Sequence, residues 1–287
     1  MQRWYADGNQ DIATVFLGNT RRKNRAVLRA GMHRRGYLTA TGAGALAALA
    51  GCTGVLGAVP APKVPETALE DGGWVQTDES QSTVYERSYG PITLTAKSHT
   101  LTYEDQDLRA SIREKTLNRV DGQMALFSAT RIHFSPNLAD LPGDVATGTI
   151  VDRTAAAARS QFEAQMADAG LESVQQADSG TLSIETGQEA ELTTYEAEFP
   201  FESVTFPVTE EQSVTVPGAA IAVAGDLAVW SHGDSVLVAG GAYPAANLTE
   251  TITEHLSSAI SVTVDVDLGL EPERYREEVR SLIGGVE

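Results

Sequence analysis

From residue 74 onward, apolar and polar residues alternate over long stretches, the period of two that marks half-buried strands. Ile92, Leu94 and Ala96 share one face, and after Ser98 the apolar set moves to Leu101 and Tyr103, a slip that a β-bulge would absorb. Leu108, Ala110 and Ile112 carry the alternation onward and predict more strand. Residues 124–134 are apolar on both faces, with Met124, Leu126 and Ile132 on one and Ala125, Phe127 and Ala129 on the other. That pattern predicts a strand inside a sheet, ended by Ser135-Pro136-Asn137. Arg131 and His133 fall on the side away from Ile132 and Phe134, where they would line a concavity. The expectation for a buried Arg131 is a pairing with one of the chain's many carboxylates.

Residues 154–169 predict a helix: an alanine run, Phe162 and Met166 four apart, Asp152 or Thr154 as cap and Gly170 as the stop. Strand patterns return at 182–184 and at 192–201, where Tyr195, Ala197, Phe199 and Phe201 share a face. Further short strands are predicted at 214–216, 219–224, 227–230 and 236–239, the last two joined by a hairpin across Gly233-Asp234. Residues 247–260 predict a second helix and 272–283 a third, with Pro272 in the permitted first turn. The order of strands, helix, strands and helix, with hairpin-length connections, predicts an α+β fold: a mainly antiparallel sheet packed with two to three helices. One domain over 74–287 is expected, its two strand-then-helix halves compatible with a duplicated unit that leaves no repeat in the letters.

Charge divides the chain. Residues 1–51 hold 8 Lys+Arg against 2 Asp+Glu, and the remainder holds 13 against 37, a formal −24. Within the basic part, Arg34-Arg35 precedes twelve small, mildly apolar residues (39–50), and Leu49-Ala50-Gly51-Cys52 follows at their end. A positive segment, a short apolar segment and small residues before a cut are the parts of an export signal, and twelve residues fall short of the roughly 20 that span a bilayer. The paired arginines resemble a twin-arginine signal, and residues 49–52 resemble a lipobox with Cys52 as the lipidated residue. The expected organisation is an N-terminal extension over 1–31 ahead of a start at Met32, a signal over 32–51 and a lipidated, proline-containing tether over 52–73. The protein is then exported and anchored to the outer face of the cytoplasmic membrane, with the membrane as one partner and an unknown protein or small-molecule ligand as another.

Between Ser160 and Glu273 there are 20 Asp+Glu and no Lys or Arg, and Lys63, Lys97 and Lys115 are the only lysines after the signal. Scattered acidity of this density reads as a solvated surface adapted to high salt. It also excludes nucleic acid as a partner, since no basic stripe interrupts it. The charge pattern resembles that of haloarchaeal secreted proteins. Two segments, Asp107 through Asn137 and Val229 through Pro244, resemble a haloarchaeal lipoprotein family known as a domain of unknown function, and the resemblance covers most of residues 60–287. The layout is also similar to PsbP/Mog-type sandwiches, which implies helices on both faces of the sheet and carries no function.

Candidate chemistry is sparse. A G-x-S-x-G elbow does not occur, and the segment Ser231-His232-Gly233-Asp234-Ser235 reads as a polar hairpin tip, because neighbours on a strand face opposite ways. No catalytic residue is assigned. His99, His133, His232 and His255 are isolated in sequence, and the single Cys excludes a thiolate cluster, so neither metal site nor cofactor is expected. The acidic pairs Asp265/Asp267 and Glu104-Asp105-Gln106-Asp107 lack the ligand series of a calcium loop. Asn247 opens the one N-x-S/T sequon and is both a glycan acceptor candidate and a helix-cap candidate. A non-enzymatic binding or envelope-associated role is the leading expectation, and an extracytoplasmic enzyme whose site assembles only in the fold is the alternative.

The acidity makes a direct prediction. Raising KCl from about 0.1 M to about 2 M shortens the Debye length from ~10 Å to below ~3 Å and should raise the thermal midpoint of the mature chain. Equal midpoints would show that the charge is not a solvent adaptation.

Overall fold

The computed structural model describes residues 59–89, 92–118, 120–137, 147–207, 212–255 and 261–287. Chain order begins with helix α1 (Glu66–Asp71), strands β1 (Trp74–Tyr89) and β2 (Ile92–Asp105), helix α2 (Gln106–Lys115), strand β3 (Leu126–Ser135) and the long helix α3 (Thr147–Asp168). Strands β4 (Glu172–Ser183) and β5 (Glu189–Phe201) follow, then a short ribbon of β6 (Val204–Pro207) and β7 (Ser213–Val216). The chain closes with β8 (Ala219–His232), β9 (Ser235–Pro244), a second ribbon of β10 (Thr249–His255) and β11 (Ser261–Asp267), and helix α4 (Pro272–Gly284). Seven strands form one sheet in the order β1-β2-β3-β9-β8-β5-β4, with every neighbouring pair antiparallel. The fold is therefore α+β with a mainly antiparallel sheet, as the pattern predicts, and four helices lie among the described residues. Two meanders, β1-β2-β3 and β4-β5-β8-β9, meet edge to edge at β3 and β9.

Cover on the two faces is offset along the strands. Leu94, Ala96, Ile132 and Phe134 pack in one apolar cluster with Phe162 and Met166 of α3. Leu101, Tyr103, Phe127 and Ala129 pack in the other, with Ile112 of α2 and Val279 and Ile283 of α4. The predicted bulge in β2 is absent: its pairing with β3 runs unbroken from Thr95 to Glu104. What changes after Ser98 is which face of an intact strand is covered. Register shifts occur instead on β1, between Gln76 and Asp78 and between Thr83 and Tyr85.

Other local departures have identifiable causes. Residues 106–115 form α2 rather than strand, because Asp105 caps them, its Oδ1 accepting from the Leu108 amide at 2.8 Å, and Leu108 and Ile112 lie one turn apart on the buried side. The helix expected over 247–260 is absent from the described part of that stretch, where Thr249–His255 is β10, rich in threonine and paired with Ser261–Asp267. Helix α3 begins at Thr147, so neither Asp152 nor Thr154 caps it; Thr154 Oγ1 donates to Ile150 O inside the helix. The two short strands at 219–224 and 227–230 are one, because Gly225 and Asp226 stay in register with Tyr195 and Thr194.

Packing also starts upstream of Trp74. Val59 and Pro62 are buried, and the backbone of Lys63 exchanges two hydrogen bonds with that of Glu287, at 2.6 and 2.9 Å. A strap over 59–65 therefore lies along the domain and pairs with its C-terminus.

Asp226 is the most confined charge in the described structure, 0 % exposed on a central strand. Four hydrogen bonds reach its two oxygens: Arg280 Nε at 2.8 Å, Arg280 Nη2 at 3.3 Å, Tyr243 Oη at 3.0 Å and Thr194 Oγ1 at 3.0 Å. Burial and the adjacent carboxylate push the Tyr243 hydroxyl well above its ordinary pKa, so it stays a donor. Glycines let the helices come close enough to make these contacts. A Cβ on Gly241 would stand 2.8 Å from Leu126 O and 3.0 Å from Val279 of α4, and one on Gly225 would stand 2.9 Å from the Phe162 ring of α3.

Two predictions follow from this packing. Asp226→Ala strands the Arg280 guanidinium and should lower unfolding free energy by about 3–5 kcal/mol, read from urea titration. The second concerns pH. Burial raises the carboxyl pKa of Glu278, beside Trp74 and Arg274, and that of Asp105. A raised folded-state pKa means tighter proton binding in the folded form, so each group costs stability above that pKa and the cost eases as pH falls. Asp121 and Asp267, held below the ordinary range by hydrogen bonds from Arg109 and Asn247, stay ionised over this window and add nothing to it. Thermal midpoints should therefore rise between about pH 7.5 and about pH 5, and Glu278→Gln should flatten that rise. An unchanged slope in the variant would remove Glu278 as a cause.

Candidate functional site

The face of the sheet under α4 can be followed row by row across the strands. The first row is Tyr103, Phe127, Gly241, Asp226 and Thr194, and the second is Leu101, Ala129, Ala239, Ala228 and Leu192. Helix α4 reaches the first at Gly241 and at Asp226. The third row is His99, Arg131, Leu237 and Trp230, and the fourth is Lys97, His133, Ser235 and His232. Moving along the same face, β2 and β3 pass from apolar to basic side chains, while Leu237 and Trp230 of the third row stay in the core. The third and fourth rows lie at the end of the sheet where α3 covers the opposite face.

Local sequence builds this end. The β8–β9 turn is a two-residue hairpin with Gly233 at φ +60°, and it sets His232 directly opposite Ser235. On β3, Ile132 and Phe134 are drawn under α3, which turns Arg131 and His133 to the other face, as the alternation predicts. Neighbouring strands stand ~4.8 Å apart, so the fourth row spans about 14 Å from Lys97 to His232.

His99 is 5 % exposed and held from both ends. Its Nε2 lies 2.8 Å from Glu79 Oε1, and its Nδ1 lies 2.9 Å from Val59 O, with Gln81 Nε2 at 3.2 Å. Glu79 and Val59 each present an acceptor to the ring, and Gln81 presents a donor. His99 is thus the clasp that fastens the strap at Val59 to β1 and β2.

Arg131 departs from expectation. It pairs with no carboxylate among the described residues, and its Nε is buried without a hydrogen-bond partner. In the same row, Trp230 is 3 % exposed and its indole N–H is likewise buried without a partner. His133 Nδ1 lies 3.5 Å from Asp234 Oδ2, and Ser235 Oγ donates to Asp234 Oδ1 at 3.1 Å. The letters of a hydrolase triad therefore meet in the wrong order. The serine gives its proton to the carboxylate rather than to an imidazole, so no base stands ready to activate it.

Most of the other sequence-derived candidates are committed elsewhere. Arg34, Arg35, Leu49, Ala50, Gly51 and Cys52 lie outside the described residues. Asn247 caps no helix: its Oδ1 accepts from the Leu270 amide at 2.9 Å and its Nδ2, the atom a glycan would join, donates to Asp267 Oδ1 at 2.8 Å. Asp267 also accepts from the Gly269 amide, and Glu104 accepts from Arg109 and Gln123, so both carboxylates are used within the fold. His232 Nδ1 contacts Gln188 Oε1 at 3.3 Å. Among the described residues no group of three or more His, Cys, Asp or Glu is placed to hold a metal. A cavity of about 50 Å³ lies on the α3 side, lined by Met124, Leu126, Phe162, Met166, Val223 and Ala242, and it is almost wholly apolar.

The alternation singles out Arg131 and His133, yet it gives no hint of Lys97, Trp230 or His232 beside them. Their signal is the change of apolar parity in β2 and β3: where the buried set switches face, the face it leaves is free for polar residues. Comparison with known families adds one finding. The domain of unknown function DUF6517 is matched over residues 61–287. Curated proteins and solved structures give no match.

Proposed function

The chain belongs to the DUF6517 family, and from that premise we propose that it is a non-enzymatic binding lipoprotein of a halophilic archaeon. In this reading it leaves the cell by the twin-arginine route and stands on the outer face of the cytoplasmic membrane, held by lipid on Cys52. The observation that carries the reading is the clasp at Val59. Only six residues separate Cys52 from Val59, and the seven steps between them reach at most about 25 Å fully extended. A lipid on Cys52 would hold the domain close against the bilayer, with the His99 end of the sheet nearest the anchor. Two isoprenoid or acyl chains give stable attachment where a single chain gives marginal binding.

Binding rather than catalysis is supported by the third and fourth rows. They bring six polar or cationic side chains to one face, and the one serine among them is turned to a carboxylate. The enzyme alternative draws on the convergence of His99 and His133 on the same face. It requires a nucleophile beside them, and Ser235, which pairs with His133, donates to Asp234 instead. The ligand on this reading is a protein or small molecule of the cell exterior, and nucleic acid is opposed by the −24 formal charge.

Cys52→Ser tests the anchor. The parent should fractionate with membranes, and the variant should appear in the medium or accumulate as unprocessed precursor. A variant that stays in the membrane fraction at the parent's mature mass removes the lipobox reading. Crosslinking capture from intact cells in high salt tests the binding role, and Arg131→Gln should diminish capture without altering membrane attachment.

A further inference from the structure

Building on the binding reading, we propose that the third and fourth rows form a site for an oxyanion, a carboxylate or phosphate group on the ligand, with Arg131 as its principal donor. Three observations converge. In a chain whose mature part has 13 Lys+Arg against 37 Asp+Glu, Lys97 and Arg131 sit on neighbouring strands and adjacent rows of one sheet face. The half-buried arginines Arg109, Arg159 and Arg280 each hold a carboxylate, and Arg131 holds none among the described residues. Its Nε is a buried donor lacking an acceptor.

An unmet donor calls for an acceptor, and beside a guanidinium the complementary acceptor is an anion with two oxygens. Among the described residues, two carboxylates at this face are committed: Glu79 to His99 and Asp234 to His133 and Ser235. Those two pairings keep these acidic groups from occupying Arg131 and leave it free for a ligand. His133, with its side chain 38 % exposed, and Lys97 stand one row outward, where they border the approach. Two sources of such a group fit: a free anion, or the phosphate of an anionic lipid headgroup, which the short reach from Cys52 would bring near.

Calorimetric titration of the mature chain with inorganic phosphate at fixed KCl tests the site, with flotation on phosphatidylglycerol and phosphatidylcholine vesicles as a second arm. Saturable phosphate binding is expected, about tenfold or more weaker in Arg131→Gln, the loss expected for one charge-assisted hydrogen bond. Arg131→Lys should retain part of it, and Arg153→Gln, the same charge change on exposed α3, should match the parent. Flotation with phosphatidylglycerol alone, lost in Arg131→Gln, identifies the headgroup as the source and supports the proposal. Absence of both phosphate binding and headgroup-dependent flotation overturns it, as does unchanged binding in Arg131→Gln. Should phosphate and vesicles fail while crosslinked capture still depends on Arg131, the oxyanion assignment falls and the binding reading stands. If capture is also indifferent to Arg131, both fall.

Discussion

A carboxylate with no access to water is tolerable only if its hydrogen bonds are met, and Asp226 makes that demand from the middle of the sheet. Arg280 answers it from α4, with Tyr243 and Thr194 supplying the remaining donors. The answer fixes more than a charge. Because α4 must bring Arg280 over the first row, it lies across Gly241 and covers that half of the face. The basic and polar rows begin beyond it. The position of one buried acid thus fixes where α4 lies on the sheet.

The offset of the two covers has the same origin. An antiparallel strand of ten or more residues is longer than the width of a helix, so one strand can be buried on opposite faces at its two ends. In β2 and β3 the apolar set changes parity where α3 takes over from α4 and α2. A strand of this kind needs no bulge, and it places Arg131 and His133 on a face that its other end uses for core.

That distinction marks what the sequence could and could not disclose. Alternation was enough to indicate β3 as an inner strand, the hairpin at Gly233, helix α4 and the antiparallel α+β class. It misread 106–115, where Leu108 and Ile112 fit both periods and only the cap at Asp105 decides for helix. It misread 247–255, where the partner strand at 261–267 overrides any local preference. The site was half legible for a related reason. Arg131 and His133 can be assigned to a face from their own strand, but Lys97, Trp230 and His232 join them only through register with strands up to a hundred residues away. The unpaired state of Arg131 is a further step removed, since it depends on where each nearby carboxylate is spent.

The strap has a mechanical consequence. Tension applied on the N-terminal side of Val59 is borne first by the hydrogen bond from His99, then by the two backbone bonds between Lys63 and Glu287. From Glu287 the load passes into α4 and, through Arg280, to Asp226 on a central strand. A pull at the entrance of the domain is therefore transmitted to the most deeply buried charge in the described fold, and the weakest link in that line, the single bond at His99, is the one beside the basic rows. Force would open the edge of that surface before it disturbed the core.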